Sequence, residues 1–184
     1  MSLTIKDLEK LQTQLCEVHL DYQLELIDGK IIVMDPSDIV SSEIGAELIR
    51  LLANWIKPRK LGRVFDSSGG FILPNSDLTA PDVSFVSAER LRRSPRYFGE
   101  LVPDFVVEIK SQSERIKPLK EKIQSFLSMG ARVGILVDPD KHTVTIYRTD
   151  SDPIVLTDGD VLTIPEFFPG WEVKISELWP VEFE

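Results

Sequence analysis

Hydrophobic positions repeat along this chain with two different spacings, one typical of helices and the other of strands. Apolar residues three and four positions apart predict amphipathic helices at residues 4–16, between Asp38 and Pro58, and at residues 118–129. We expect the second helix to end before Pro58, because proline lacks the amide hydrogen that a helix interior uses. Gly130 is suited to end the third helix.

Alternating or continuous apolar runs predict the strands. Residues 22–27 and 30–34 flank Asp28-Gly29, a sequence typical of two-residue hairpin turns. Further strands are expected at residues 62–67, 70–73, 82–86, 104–110, 133–137 and 143–148. The strand–helix–strand order in 104–137 indicates one parallel, right-handed crossover in an otherwise antiparallel sheet. The pattern therefore predicts an α/β (α+β) fold, in which helices flank a mixed sheet and a helix and hairpin come first, with a looser tail.

Length and composition exclude several classes of protein. A chain of 184 residues predicts one domain, spanning 1–184. No apolar run approaches the ~18 residues that a membrane span needs, and the first residues lack a signal sequence, so we expect a cytoplasmic protein. One cysteine, Cys16, cannot form an internal disulfide. Together with only two histidines it disfavours zinc, so oxygen atoms would have to bind any metal.

Two charged residues interrupt the apolar strand predicted at 104–110. Side chains two positions apart on a strand project from the same face, so Glu108 and Lys110 should lie together while Ile109 faces the other layer. Burying such charges is unfavourable unless they are paired or bind a ligand. A Glu-x-Lys tripeptide alone indicates no more than a surface pair, so the interpretation depends on a second carboxylate.

Two Pro-Asp pairs offer that carboxylate. Asp104 lies four residues from Glu108 on the same strand, about 13 Å away at ~3.3 Å per residue, which is too far to share an ion. Asp82 begins another strand and can lie alongside Glu108. We therefore expect Asp82, Glu108 and the carbonyl oxygen of Ile109 to bind Mg²⁺, for which Mn²⁺ can substitute. Lys110 would orient the attacking water or stabilise negative charge on the phosphate in the transition state.

Pro81-Asp82 followed by Glu108-x-Lys110 and a helix resembles the signature of the PD-(D/E)XK nuclease superfamily. More narrowly, the chain resembles the Uma-type family of bacterial proteins described as restriction endonucleases, formerly catalogued as a domain of unknown function. The resemblance covers nearly the whole chain and includes residues 25–30, 80–86, 103–111, 136–139 and 168–171. It implies a restriction-endonuclease-like fold and Mg²⁺-dependent cleavage of DNA phosphodiester bonds.

The same resemblance implies further polar residues near the site. The superfamily places a glutamate on an early core helix, which would be Glu43, with Glu47 as the weaker candidate. It also presents a polar residue from the helix after the Glu-x-Lys strand, which would be Gln124 or Lys120. Many relatives in this branch lack a lysine at the position of Lys110, so its presence here favours an intact site.

The net charge of −9 counts against a nucleic-acid partner until its distribution is considered. Residues 150–184 contain nine acidic residues and one basic residue, so the rest of the chain is nearly neutral. We expect this tail to pack away from the active-site face, and the cluster formed by Arg90, Arg92, Arg93 and Arg96 to lie near the path of DNA. Four arginines neutralise few phosphates, so a homodimer is the expected working form.

Three functions stay open at this point. A Mg²⁺-dependent DNA endonuclease is favoured by the complete set of Asp82, Glu108 and Lys110. A catalytically silent relative that uses the nuclease fold for binding or assembly is favoured by the acidic tail and by the lack of a dominant basic surface. The third is a hydrolase of another phosphodiester, in RNA or in a nucleotide.

Overall fold

The computed structural model describes residues 2–183. Its α-helices are α1 (Ile5–Glu17), α2 (Ile39–Arg59) and α3 (Ile116–Ser128). Its strands are β1 (Leu24–Ile27), β2 (Lys30–Val33), β3 (Gly62–Asp66), β4 (Phe71–Ile72), β5 (Leu78–Thr79), β6 (Val83–Ser87), β7 (Phe105–Ile109), β8 (Val133–Asp138), β9 (Thr143–Arg148), β10 (Ser151–Leu156), β11 (Val161–Thr163) and β12 (Glu172–Lys174). A short 3-10 helix follows at Ile175–Glu177. Within residues 2–183, every helix is too short or too polar to cross a membrane.

A six-stranded sheet forms the centre of the fold, with the strand order β10-β9-β8-β7-β6-β3. Strands β7 and β8 are parallel and are connected by α3. The other neighbouring pairs in this sheet are antiparallel. The predicted mixed sheet flanked by helices is confirmed, and so is the parallel step between the strands on either side of α3.

A second sheet, with the order β2-β1-β5-β4, contains the predicted hairpin. Strands β1 and β2 pair through Ile27 and Lys30, and the turn residues Asp28 and Gly29 have φ angles of 50° and 69°. Positive φ at both positions is what a two-residue turn between twisted strands requires. Helix α1 begins after Thr4, whose side chain and backbone bond reciprocally with Asp7, and it packs on this second sheet.

Successive side chains of the central sheet point to opposite faces and so build two cores. Val83, Phe85 and Ile109 belong to the core that contains α2. Val86 and Val106 belong to the core that contains α3. By this alternation, the residues on either side of Ile109 and Val83 face the α3 side of the sheet.

The tail is not loose, and that prediction was wrong. Strand β10 adds to the edge of the central sheet, and β11 pairs with β12. Apolar side chains within, between and after β11 and β12 are buried in the core on the α2 side: Leu162, Ile164, Phe168, Trp171, Val173, Ile175 and Leu178. Several of them lie in turns, where side chains follow no regular period, so no periodic pattern indicated their burial. Through these side chains the tail packs on the face of the sheet opposite to α3.

Helix α2 continues past the point where it was predicted to end. Pro58 lies inside its last turn, and Lys60 caps the helix in the left-handed conformation with φ of 54°. Proline so close to the end removes a single backbone hydrogen bond. The Arg59 side chain donates a hydrogen bond of 3.2 Å to the carbonyl of Trp55 in the same turn, which satisfies part of the backbone there.

The position of Phe168 generates a stability prediction. Its ring is fully buried and packs edge-on against Phe85, with ring centroids 4.8 Å apart. Phe168→Ala should lower the free energy of unfolding by about 3–5 kcal/mol, because it leaves a cavity in the core. Urea denaturation measures this, with Val155→Ala on the exposed face of β10 as a control expected to cost about 0.5 kcal/mol or less. A loss of under ~1 kcal/mol for Phe168→Ala would show that the tail unfolds separately from the sheet.

Candidate active site

Asp82 and Glu108 lie next to each other on neighbouring strands. The register of β6 and β7 pairs Val83 with Val107, which continues to place Asp82 opposite Glu108. Residues paired in this way have α-carbons ~4.5–5.5 Å apart. Oδ2 of Asp82 also accepts a hydrogen bond of 2.6 Å from the amide of Ile109. The structure therefore brings these two residues together as the sequence analysis expected, although their role as metal ligands stays a prediction.

Glu108 is almost completely buried, with 2% of its surface exposed. Among the residues described, no donor has hydrogen-bond geometry to its Oε1 atom. Burial, together with the negative charge of Asp82, raises the pKa of Glu108 to about 8, against the attraction of Lys122. Burial also raises the pKa of Asp82. Without a bound metal ion, ionising both carboxylates at neutral pH is therefore unfavourable.

Lys122 supplies a positive charge to this pair from helix α3. Its Nζ atom lies 3.1 Å from Oε1 of Glu108, which is an ion-pair distance, and donates a hydrogen bond of 3.2 Å to the carbonyl of Ala80. Burial alone would lower the pKa of Lys122, but the nearby charges of Glu108, Glu25 and Asp82 outweigh it and raise the pKa. Lys122 therefore remains an ammonium ion throughout the neutral range.

Glu25 is a third carboxylate at this position; it is buried and comes from the second sheet. It is 5% exposed, and its Oε1 atom accepts hydrogen bonds from the hydroxyl of Thr79 at 2.9 Å and the amide of Ala80 at 2.7 Å. The same atom lies 3.9 Å from Nζ of Lys122. Because Ala80 precedes Pro81-Asp82, Glu25 fixes both the segment that presents Asp82 and the ammonium of Lys122.

Lys110 is directed elsewhere. Its Nζ atom donates to Oδ2 of Asp140 at 2.6 Å and to the carbonyl of Ser111 at 3.1 Å. The bond to Asp140 raises the pKa of Lys110. Strand β7 ends at Ile109, so the alternation that places Glu108 and Lys110 on one face no longer fixes where this long side chain ends. The structure does not bring the ammonium of Lys110 to the carboxylates, and its catalytic role stays an untested prediction.

The other expected site residues differ in position. Glu43 is exposed on α2, which packs against the opposite face of the sheet from α3. Gln124 and Lys120 are exposed on α3. Ile109 lies at the end of β7, where its amide bonds to Asp82. Nothing tests the roles proposed for Glu43, Gln124 and the carbonyl of Ile109, which therefore stay predictions.

Asp104 directly precedes β7, at the end of the strand far from Glu108, as expected from its distance along the chain. It is 4% exposed, and its carboxylate accepts hydrogen bonds from the amide of Ser87 at 2.8 Å and from the guanidinium of Arg90 at 2.7 Å. Arg90 therefore pairs with Asp104 and not with Glu108. Asp104 is a structural residue whose hydrogen bonds hold the start of β7 against Ser87 and Arg90.

Sequence reasoning missed two residues of this cluster, although each had a signal. Lys122 follows Leu119 by three positions and precedes Phe126 by four, so it occupies a place in the apolar stripe of α3. Glu25 lies between Leu24 and Leu26 in a strand that is buried on both faces. A charged residue at an apolar position is the signal in both cases.

The donor set fits a hard divalent cation. Across residues 2–183, no three acidic, histidine or cysteine side chains converge closely enough to form a preformed metal site. Mg²⁺ does not require one, since it keeps several waters and typically binds one or two protein carboxylates. The Oε1 atom of Glu108 accepts no hydrogen bond. In Asp82, one of the two carboxylate oxygens, Oδ2, accepts a hydrogen bond from the backbone. The pair therefore offers carboxylate oxygens to Mg²⁺ or Mn²⁺ at a buried position with excess negative charge.

The raised pKa of Glu108 predicts how stability depends on pH when a chelator keeps the protein metal-free. Unfolding returns the pKa from about 8 to its ordinary value of 4.5. Between these values the folded protein holds a proton that the unfolded chain has released, so the free energy of unfolding should fall as pH rises through this window. In urea denaturation at pH 5 and pH 8, Glu108→Gln should lose most of this fall, with Asp82 responsible for the remainder. An identical fall in parent and variant would contradict the burial of an ionisable Glu108.

Comparison with solved structures shows similarity to a nuclease fold. The crystal structure of a putative nuclease belonging to DUF820 from Anabaena variabilis ATCC 29413 matches with a TM-score of 0.77 and 25% identity, covering 88% of this chain and 94% of that chain. A cryoEM structure of a DrdV–DNA complex matches with a TM-score of 0.42 and 15% identity, covering 67% and 75%. No curated protein sequence matches the chain.

Comparison with protein families gives a match over most of the chain. The profile described as "Uma2: Putative restriction endonuclease" matches residues 8–177. This range contains the strands that carry Glu25 and Glu108, the residue Asp82, and helix α3 with Lys122. The resemblance noted from the sequence motifs is confirmed. The chain belongs to the Uma2 family of restriction-endonuclease-type proteins.

Proposed function

We propose that this protein is a Mg²⁺-dependent endonuclease that hydrolyses phosphodiester bonds of DNA. The observation that carries the proposal is the cluster in which Asp82 lies beside the buried Glu108, with the ammonium of Lys122 at an ion-pair distance from Glu108. The description of the Uma2 family and the similar DUF820 nuclease structure support the same activity. Asp82, Glu108 and the carbonyl of Ile109 would bind the metal. When bound, Mg²⁺ would polarise a phosphate oxygen and acidify a water molecule.

Lys122 takes the role that the sequence analysis gave to Lys110. Hydrolysis joins a water oxygen to phosphorus and breaks one phosphorus–oxygen ester bond, and negative charge builds on the phosphate oxygens between these events. An ammonium held at a fixed position stabilises that charge without rearranging during the reaction. Because the pKa of Lys122 is raised, it acts as a cation and hydrogen-bond donor rather than as a base. Its bond to Ala80 and its proximity to Glu25 hold it in place.

The rival interpretation, a catalytically silent subunit, loses one of its two supports. It was favoured by the acidic tail, but the tail packs on the face opposite to α3. The pairing of Lys110 with Asp140 would also favour it if Lys110 were the sole candidate cation. Lys122 removes that objection. A homodimer remains part of the proposal, since a second copy would double the cationic surface available to DNA.

Metal binding by the two central carboxylates is directly testable. In calorimetric titration with Mn²⁺, Asp82→Asn and Glu108→Gln should each weaken binding by at least about tenfold, because each removes an anionic oxygen ligand. Asp140→Asn is the matched control, since it removes a carboxylate that pairs with Lys110 instead. If both site variants bind Mn²⁺ as the parent does, the metal site lies elsewhere.

Substitutions of the two lysines should affect the cleavage rate differently. Lys122→Met should lower the single-turnover rate on labelled duplex DNA by about 10² or more, as loss of one transition-state stabiliser commonly does. Lys110→Met should change the rate by less than about threefold, because its ammonium pairs with Asp140. Mn²⁺ titration checks that both variants retain the metal site. A slow Lys110→Met variant beside an unaffected Lys122→Met variant would return the catalytic role to Lys110.

A further inference from the structure

A cavity of about 530 Å³ opens between helix α1, strand β3 and the connection from β6 to β7. This volume lies within the range of ~300–1,000 Å³ that is usual for ligand sites. Its wall includes four aromatic residues, Phe65, Phe71, Tyr97 and Phe98, together with Arg96 and Glu9. The proposed metal site uses none of these side chains.

The cavity lies at the same end and on the same face of the central sheet as the carboxylates. In the register of β3 with β6, Phe65 is opposite Ser84 and Asp66 is opposite Val83, next to Asp82. Phe65 packs with the core on the α3 side, the side that Glu108 also faces. Strand β6 alone separates β3 from β7. The distance between β3 and β7 is therefore two strand spacings, about 10 Å across the sheet.

Exposed aromatic surface distinguishes this cavity from an ordinary surface cleft. Tyr97 is 52% exposed, and its ring lies 4.9 Å from that of Phe98 between centroids. The hydroxyl of Tyr97 donates a hydrogen bond of 2.6 Å to Oε1 of Glu9, which fixes the tip of the ring. Rings held in this way give nucleic-acid bases a stacking surface that depends little on sequence.

Arginines are clustered in the connection that forms part of the cavity wall, and Arg96 lines the cavity itself. Arg92, Arg93 and Arg96 are exposed, and within residues 2–183 they make no ion pair. The guanidinium of Arg63 donates to the carbonyls of Leu91 at 3.2 Å and Arg92 at 2.9 Å, which anchors the connection that presents them. Unpaired arginines beside aromatic rings match a ligand with both a phosphate and a base.

We propose that this cavity binds an unpaired nucleotide of the DNA substrate close to the scissile phosphate. The base would stack against Tyr97 and Phe65, and Arg96 would contact its phosphate. The bases of an intact duplex hide their faces in the stack, so only an unpaired base offers a face to these rings. This inference rests on the proposed function for its choice of DNA. It adds a preference for single-stranded or extrahelical nucleotides next to the cut.

Fluorescence anisotropy tests the preference in metal-free buffer, where binding is measured without cleavage. The parent should bind a duplex with a three-nucleotide single-stranded overhang more tightly than the same duplex with blunt ends. Tyr97→Ala should weaken binding to the overhang about tenfold and leave blunt-duplex binding unchanged. Tyr97→Phe should keep the preference, because it retains the ring. Phe183→Ala removes an exposed aromatic side chain near the end of the tail and should have no effect.

Three results would overturn the inference: equal affinity of the parent for the two DNAs, a Tyr97→Ala variant that keeps the parental preference, or no DNA binding at all. Cleavage by the Mg²⁺-loaded parent is measured separately. Cleavage together with an unaffected Tyr97→Ala variant would disprove the cavity site alone. No cleavage of any DNA, together with a preference that Tyr97→Ala abolishes, would disprove the endonuclease activity and leave the cavity site standing.

Discussion

Glu108 places a carboxylate inside an apolar layer, and the arrangement around it follows from the free energy of burying that charge. With 2% of its surface exposed, it must either hold a proton or have positive charge nearby. Helix α3 supplies Lys122 at 3.1 Å, and the excess of carboxylates leaves room for a cation. Packing of α3 against β7 and β8 is thus coupled to the electrostatics of the site, because moving the helix would leave both charges without partners.

The second sheet has a defined part in this arrangement. One face of β1 packs against α1 through Leu24 and Leu26, and the other presents Glu25 to the central sheet. The hydrogen bonds from Thr79 and Ala80 to Glu25 tie the hairpin to the segment that carries Asp82. An isolated hairpin is only marginally stable in water, but this one is held by its hydrogen bonds to the neighbouring segment. In return, the candidate site is supported by a rigid element from outside the central sheet.

The two faces of the central sheet have different roles: one packs the apolar core, and the other carries the candidate site. The α2 side contains a continuous apolar core completed by the tail, with Phe168 against Phe85 and Phe105. The α3 side carries the buried ionisable groups and, toward β3, the aromatic cavity. Buried charges reduce stability when they lack a ligand, and the apolar packing of the opposite face offsets that loss. The tail, which carries most of the net negative charge of the chain, packs on the α2 side, away from the candidate site.

The sequence by itself determined the features that depend on neighbouring residues. Helical spacing gave three helices, Asp28-Gly29 gave the hairpin, and the distance along one strand excluded Asp104 as a partner of Glu108. Only the tertiary structure decided which lysine meets the carboxylates. Alternation along β7 holds while the strand lasts, so it could not direct Lys110 beyond Ile109. Lys122 and Glu25 reach the site because a helix and a second sheet dock against it, and such docking depends on packing between elements distant in the chain.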